Sequence, residues 1–217
     1  MEAEETETRD HWWWRPGWHI GRSCYTWHIL VEDQPAIHEF AEQLQSQLAT
    51  TGALGPIPLE WLHMTLQGVG FTDEVSEDTL NAIAAAVSER VGGIGPVPVT
   101  LGPPVVDPEG VNLPVRPAEA VDAVRRAVRE GIADVWGADR VPEAEDGFVP
   151  HVSLAYSHTS GLPLAPIRDI LAKHATVLPA VLTRVSLIDI NRDNGIYQWH
   201  LIRRMSFGPA PTHGSGG

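Results

Sequence analysis

Five of the ten histidines are followed two positions later by serine or threonine: His63, His151, His158, His174 and His213. An imidazole titrates near neutral pH, so it can take a proton from an attacking oxygen or give one to a leaving oxygen. A hydroxyl beside it can donate to the non-bridging oxygens of a phosphate and hold charge as it develops. Two such pairs facing each other would supply what phosphodiester cleavage needs without a metal. The triplet alone is common, so its surroundings must choose among the five.

His213 lies in a Gly-rich tail, and His158 leads into the loop Thr159-Ser160-Gly161. His174 ends a helical stretch and is the main decoy. His63 and His151 differ in kind, because Trp61-Leu62-His63-Met64-Thr65-Leu66 and Phe148-Val149-Pro150-His151-Val152-Ser153-Leu154 both read as strands. Side chains alternate between the faces of a strand. Leu62, Met64 and Leu66 then point into a core, and His63 and Thr65 share the other face. Val152 and Leu154 likewise leave His151 and Ser153 side by side, with Cα atoms roughly 6–7 Å apart along the strand. His63, Thr65, His151 and Ser153 are therefore the candidate catalytic residues. The same alternation puts Tyr156 on the face opposite His151. His19 and His28 read as structural, and Arg192 as a surface residue beside a hairpin turn.

The elements that must carry these groups alternate along the chain. Strands are expected at 25–31, 61–71, 97–101, 111–115, 148–156, 181–191 and 197–207. Helical spacing of apolar residues marks 35–48, with Ile37, Phe40, Ala41, Leu44 and Leu48 on one stripe. It also marks 117–136, with Val121, Val124, Val128, Ile132 and Val135 on the stripe, and 163–174. Ser76 is placed to cap a further helix running to about Val91. Asp193-Asn194-Gly195 is a hairpin signal. Each half can be written strand, helix, strand, helix, strand, with its triplet on the middle strand, which suggests an ancient duplication.

Composition bounds the rest. The 217 residues are 43% hydrophobic and 20% charged, enough for one globular domain with a real core. Residues 1–17 read as a peripheral segment rich in tryptophan, 18–208 as the single domain, and 209–217 as a flexible tail. Trp12, Trp13 and Trp14 are expected to pack that first segment onto the body, the other role open to them being a lid that stacks a base. The net charge of −13 disfavours a long polynucleotide gripped by its phosphates. Cys24 is the lone cysteine, so no internal disulfide forms and a reducing, cytoplasmic setting is expected. There is neither an apolar segment of membrane-spanning length nor a signal-peptide pattern. A metal-dependent hydrolase would need a dense carboxylate and histidine cluster, and none is visible: Asp10-His11 is isolated and Glu143-Ala144-Glu145-Asp146 reads as a loop. A cysteine nucleophile would rest on Cys24 without a supporting motif.

The motifs His63-Met64-Thr65-Leu66 and His151-Val152-Ser153-Leu154 resemble those of the 2H phosphoesterase superfamily, over most of residues 18–208. The run from Asp10 to Trp18, with Tyr25-Thr26-Trp27-His28, further resembles actinobacterial 2′-5′ RNA ligase-like members. The resemblance implies an α+β fold of two pseudo-symmetric lobes, each with an antiparallel sheet and flanking helices, around a central cleft. It implies hydrolysis of a 2′,3′-cyclic phosphodiester on an RNA end or nucleotide, with no cofactor, and a 2′-5′ RNA ligase side activity. A monomer is expected. Ser153 stands where threonine is commoner and keeps the hydroxyl. The family's usual product is the 2′-phosphate, which makes His151 the base that activates water and His63 the acid on the 3′-oxygen side. The reading from a different class is a nucleotide-binding module that uses the same cleft without turnover.

Overall fold

The computed structural model describes residues 5–209. His213 and nearly all of the expected tail lie outside the described residues. Ten strands and four α-helices are described. They run β1 (Cys24–Leu30), α1 (Pro35–Leu48), β2 (Leu54–Pro56), β3 (His63–Phe71), α2 (Glu77–Val91), β4 (Val97–Leu101), β5 (Val105–Asp107) and β6 (Gly110–Arg116). Then follow α3 (Ala118–Trp136), β7 (His151–Ser157), α4 (Ala165–Leu171), β8 (Leu178–Leu182), β9 (Arg184–Asn191) and β10 (Gln198–Ser206).

The helices form where the apolar spacing predicts. On α1, Pro35 occupies the first turn, where its missing N–H costs nothing, and the stripe Ile37, Phe40, Ala41, Leu44 and Leu48 is buried. The Ser76 hydroxyl accepts from the Thr79 N–H and caps α2. On α3 the stripe Val121, Val124, Val128 and Ile132 is fully buried, at roughly 1.5–3 kcal/mol per side chain. Val135, on the same stripe, is exposed near the helix end. Gly131 allows α3 to approach α2 closely, since a Cβ there would meet Val87 backbone atoms at 2.8 Å.

The strands form two antiparallel sheets, ordered β10-β9-β1-β3 and β2-β7-β6-β4-β8, with β5 paired to β6. β3, carrying His63, belongs to the first sheet and β7, carrying His151, to the second. The α+β fold with two related sheets is as the resemblance implies, but the lobes are not the two halves of the sequence. β4, from the first half, sits beside β6, while β9, from the second half, sits beside β1. The halves exchange strands, β9 and β10 joining the first sheet and β2 and β4 the second, so neither sheet is built from one half alone. The helices cross as well: α1 follows β1 but packs on β7, and α3 follows β6 and packs on β3.

That exchange explains a boundary the sequence misses. The apolar run 181–191 reads as one strand, yet it divides at Thr183 into β8 and β9. β8 must pair with β4 in one sheet and β9 with β1 in the other, so the chain changes sheet there. The helix expected over 163–174 is shorter, at Ala165–Leu171. Residues 5–17 lie along the second sheet: Thr8 N–H donates to Leu162 O, His11 N–H to Ser157 O, and Glu7 bridges to Pro163. Among the described residues no helix is long and apolar enough to cross a membrane.

Candidate active site

Both triplets sit at the start of their strands, and each is followed by a β-bulge. In the β1–β3 pairing His28 faces Thr65 and Trp27 faces Gln67, which leaves Leu66 without a partner. In the β6–β7 pairing Asn112 faces Ser153 and Val111 faces Ala155, which leaves Leu154 over. The bulged residue is the same in both motifs, the leucine after the hydroxyl. A bulge frees a backbone group from the ladder, and a freed carbonyl in a core needs another partner. Here each finds one on a crossing helix. Arg125 of α3 donates through Nε to Leu66 O at 3.0 Å, and Gln45 of α1 donates through Nε2 to Leu154 O at 2.8 Å, where the Ile57 N–H donates as well at 3.0 Å.

Upstream of the bulges the alternation holds. Leu62, Met64, Leu66, Val152 and Leu154 are all buried. The middle residues Met64 and Val152 line the same small apolar cavity between the sheets, which holds the two motifs back to back against one core. Downstream, each bulge reverses the phase. Gly110 faces Tyr156 and shares a strand face with Asn112, so Tyr156 lies on the face of His151 and Ser153, not on the opposite one as simple alternation requires. Gly110 has no room for a Cβ, which would lie 2.4 Å from Ala155 O.

His63, Thr65, His151 and Ser153 all line one cleft of about 660 Å³ between the sheets. The two imidazoles are held alike. His63 Nδ1 is 2.8 Å from Trp61 O, and His151 Nδ1 is 2.8 Å from Val149 O. In each case the carbonyl two residues upstream accepts a hydrogen bond from Nδ1–H, so in the neutral ring the basic nitrogen is Nε2. The rings differ in exposure: His63 is buried, while His151 stands open in the cleft mouth. Burial pushes the His63 imidazole down to about 4, against the Trp61 carbonyl, which raises it, and with a small further push from His151.

The hydroxyls differ too. Thr65 Oγ1 lies 3.2 Å from His28 Nε2. His28 is buried and stacks flat on His63 at 4.4 Å, and burial holds it well below its usual range, so it is neutral. Its Nδ1 has no partner, and orphaned buried N–H groups are rarer in folded proteins than under-satisfied acceptors. The proton therefore belongs on Nε2, donated to Thr65, which leaves the Thr65 hydroxyl proton for a ligand. Ser153 instead donates to Asn112 Oδ1 at 2.7 Å, and Asn112 is oriented by Asp107 through an Nδ2 donor at 2.6 Å.

His174 sits against Phe40 at the end of α4, and His158 is exposed; neither lines the cleft. Three residues that the sequence reading set aside do line it. His28 lies beneath the His63 ring. His11 stacks on Tyr156 at 4.0 Å and contacts Glu109 and Tyr197, each at 3.1 Å. Burial above all brings the His11 imidazole down to about 4. Arg192, expected at the surface, is buried in the cleft wall because residues 11–14 fold over it. Of the three tryptophans expected to pack the segment onto the body, Trp12 packs on Tyr156 and Tyr197, while Trp13 and Trp14 remain exposed, at 48% and 47%. No local signal marks His11 or Arg192, since both reach the cleft only when the N-terminal segment docks.

The Cys24 thiol is pushed up to about 12 by burial, which leaves it protonated and a poor nucleophile. Among the described residues no group of three or more His, Cys, Asp or Glu side chains is placed to hold a metal ion.

Residues 31–194 match the family described as the 2'-5' RNA ligase superfamily. The chain belongs to that superfamily. A crystal structure of a Thermus thermophilus protein superimposes with a TM-score of 0.65 at 17% identity, over 86% of this chain and 98% of the other. Apo LigT of E. coli gives 0.59 at 16%, over 86% and 98%. LigT of E. coli complexed with 3'-AMP gives 0.59 at 18%, again over 86% and 98%. At these identities the likeness is one of fold. No curated protein matches this sequence. The superfamily match takes in both triplets and Arg192, and leaves out residues 11–15, which cover one end of the cleft.

Proposed function

We propose that this member of the 2'-5' RNA ligase superfamily is a two-histidine phosphoesterase that hydrolyses a 2′,3′-cyclic phosphodiester, on an RNA end or a nucleotide, without a metal. The observation that carries the reading is the pair of imidazoles on two sheets, each tied through Nδ1 to the carbonyl two residues before it, with both rings in one cleft. His151 takes a proton from water, whose oxygen attacks phosphorus. The bond to the 3′ oxygen breaks, and that oxygen leaves with a proton from His63, giving the 2′-phosphate. Thr65 donates to a non-bridging oxygen. The order of roles follows the resemblance and makes one demand. Burial keeps His63 neutral, so it serves as the acid only when an anionic phosphate beside it favours its charged form.

The test begins with turnover of a 2′,3′-cyclic nucleotide in the presence of EDTA, which should leave the rate unchanged. Loss of activity restored by one divalent ion would point to metal chemistry. An activated leaving group needs the acid less, so it should rescue His63→Ala far more than His151→Ala. Equal rescue, or rescue of His151→Ala alone, would reverse or merge the roles. Tight nucleotide binding with no turnover of any cyclic substrate would leave only the binding-module reading.

A further inference from the structure

Arg192 directly follows β9, at the head of the β9–β10 hairpin, and is 3% exposed. Its Nη2 donates to His11 O at 3.0 Å, while its Nη1 is buried with no hydrogen-bond partner. It makes no ion pair among the described residues. Aromatic faces surround its charge instead, with the guanidinium carbon 5.3 Å from Trp12, 5.9 Å from Trp14 and 5.7 Å from Tyr197. A buried cation without a carboxylate is costly, and such groups concentrate at functional sites.

Arg15 lines the same end of the cleft, and its Nε is also buried without a partner. Among the described residues its one carboxylate contact is Glu109, at 3.4 Å. Glu109 already receives Arg9 at 2.9 Å and His11 at 3.1 Å. The other acids of the cleft are committed elsewhere. Asp107 accepts from the Glu109 and Gly110 N–H groups and from Asn112, Glu143 accepts from the Gly68 N–H on the β3 wall, and Glu5 pairs with Arg9. In a chain of 28 acidic and 15 basic residues, this corner keeps two buried guanidinium nitrogens, Arg192 Nη1 and Arg15 Nε, without a hydrogen-bond partner.

The corner is one side chain away from the candidate reacting groups. The Tyr197 ring lies 6.0 Å from His63 and 5.7 Å from the Arg192 guanidinium, which puts that guanidinium within about 12 Å of the His63 ring. A single ribose separates the 2′,3′ edge of a nucleotide from its 5′ phosphate on that scale. We propose that Arg192 and Arg15 form a second anion subsite that takes a further phosphate of the substrate, so that the preferred substrate is a 2′,3′-cyclic nucleotide also phosphorylated on its 5′ side. The substrate class rests on the reading of His63 and His151 given above; the anion subsite does not.

Two measurements separate the subsite from that reading. The first compares kcat/KM for adenosine 2′,3′-cyclic phosphate with that for its 5′-phosphorylated form. The wild type should favour the phosphorylated form by about tenfold or more, chiefly through KM, as charge-assisted hydrogen bonds imply. Arg192→Gln and Arg15→Gln should bring the ratio toward one. Arg15 is partly exposed, so its variant carries the test if Arg192→Gln does not fold. An equal ratio in the wild type, or a preference untouched by both variants, would overturn the subsite while the two-histidine reading stands. The second compares binding of adenosine 2′-phosphate and adenosine 2′,5′-bisphosphate by calorimetry and needs no turnover. Tighter bisphosphate binding that Arg192→Gln abolishes, in a protein that turns over neither cyclic substrate, would keep the subsite and sink the enzymatic reading. Equal affinities would overturn the subsite.

Discussion

At the scale of single residues, the two triplets are alike in their imidazoles and unlike in their hydroxyls. Positioned acid–base groups contribute about 10²–10⁴ in rate. His63→Ala and His151→Ala should each lower kcat by at least ~100-fold, while His174→Ala, packed on Phe40 outside the cleft, should change it little. A fully active His151→Ala protein would remove the basis of the proposed mechanism. The hydroxyls call for a sharper comparison. With the His28 proton on Nε2, Thr65 accepts from His28 and keeps its own hydroxyl hydrogen for the phosphate, whereas the Ser153 hydroxyl donates to Asn112 Oδ1. Thr65→Ala should therefore cost more in kcat than Ser153→Ala, and Asn112→Ala, which frees the Ser153 hydroxyl, should cost less than Thr65→Ala. Steady-state kinetics of the three variants on one cyclic nucleotide decides this. Equal losses at Thr65 and Ser153 would show that Ser153 turns to the phosphate when substrate binds.

At the scale of elements, the site depends on two bulges and on the helices that complete them. Arg125 is 3% exposed, and its three donors reach Leu66 O, Ala144 O and Glu145 O. It ties the β3 bulge to the loop before β7. Gln45 joins Leu154 O to Ile57 O in the same way on the other sheet. Removing Arg125 takes the side-chain donor from the buried Leu66 carbonyl, and removing Gln45 takes the side-chain donor from Ile57 O and one of two donors from Leu154 O, whose other is the Ile57 N–H, at about 1–3 kcal/mol per group left unpaired. Arg125→Met and Gln45→Leu should each lower the urea midpoint by an amount equivalent to a few kcal/mol. Each should also lower kcat, because the bulge sets where the neighbouring hydroxyl lies. The two variants should act on different triplets, so their effects on kcat should multiply. A stable Arg125→Met protein with normal kcat would show that the ladder alone holds the bulge.

At the scale of the whole molecule, burial of uncharged imidazoles couples the cleft to acid stability. His63 and His11 are held at about 4 and His28 well below its usual range, in each case first by burial. The unfolded chain titrates these groups near 6.5, so between that pH and about 4 it binds more protons than the folded chain does. The stabilisation is complete above about 6.5 and is lost as pH falls toward 4. For His63 the gap between about 4 and 6.5 corresponds to roughly 3 kcal/mol. Urea unfolding should show a falling midpoint from about pH 7 to about pH 4.5. His63→Gln should flatten that slope, whatever it does to stability at neutral pH. A midpoint constant across this range would show that the imidazoles are not buried neutral in solution.

Local chemistry was enough to single out His63, Thr65, His151 and Ser153 and to place them on strands, because strand alternation and apolar spacing act between near neighbours in the chain. Helix stripes and the Ser76 cap were legible for the same reason. What the sequence did not disclose depends on partners far away in it. The division of the run at 181–191 follows from β8 and β9 pairing with strands of different sheets, and nothing in Val181 to Ile190 carries that choice. Tyr156 turns into the cleft because a bulge at Leu154 shifts the phase, and the carbonyl of the bulged residue is satisfied by Gln45, more than a hundred residues earlier, together with the Ile57 N–H. His28, His11 and Arg192 belong to the cleft only through docking of β1, of the N-terminal segment and of the hairpin head. Alternation decides which face a residue prefers; pairing register and the satisfaction of buried backbone groups decide which face it receives.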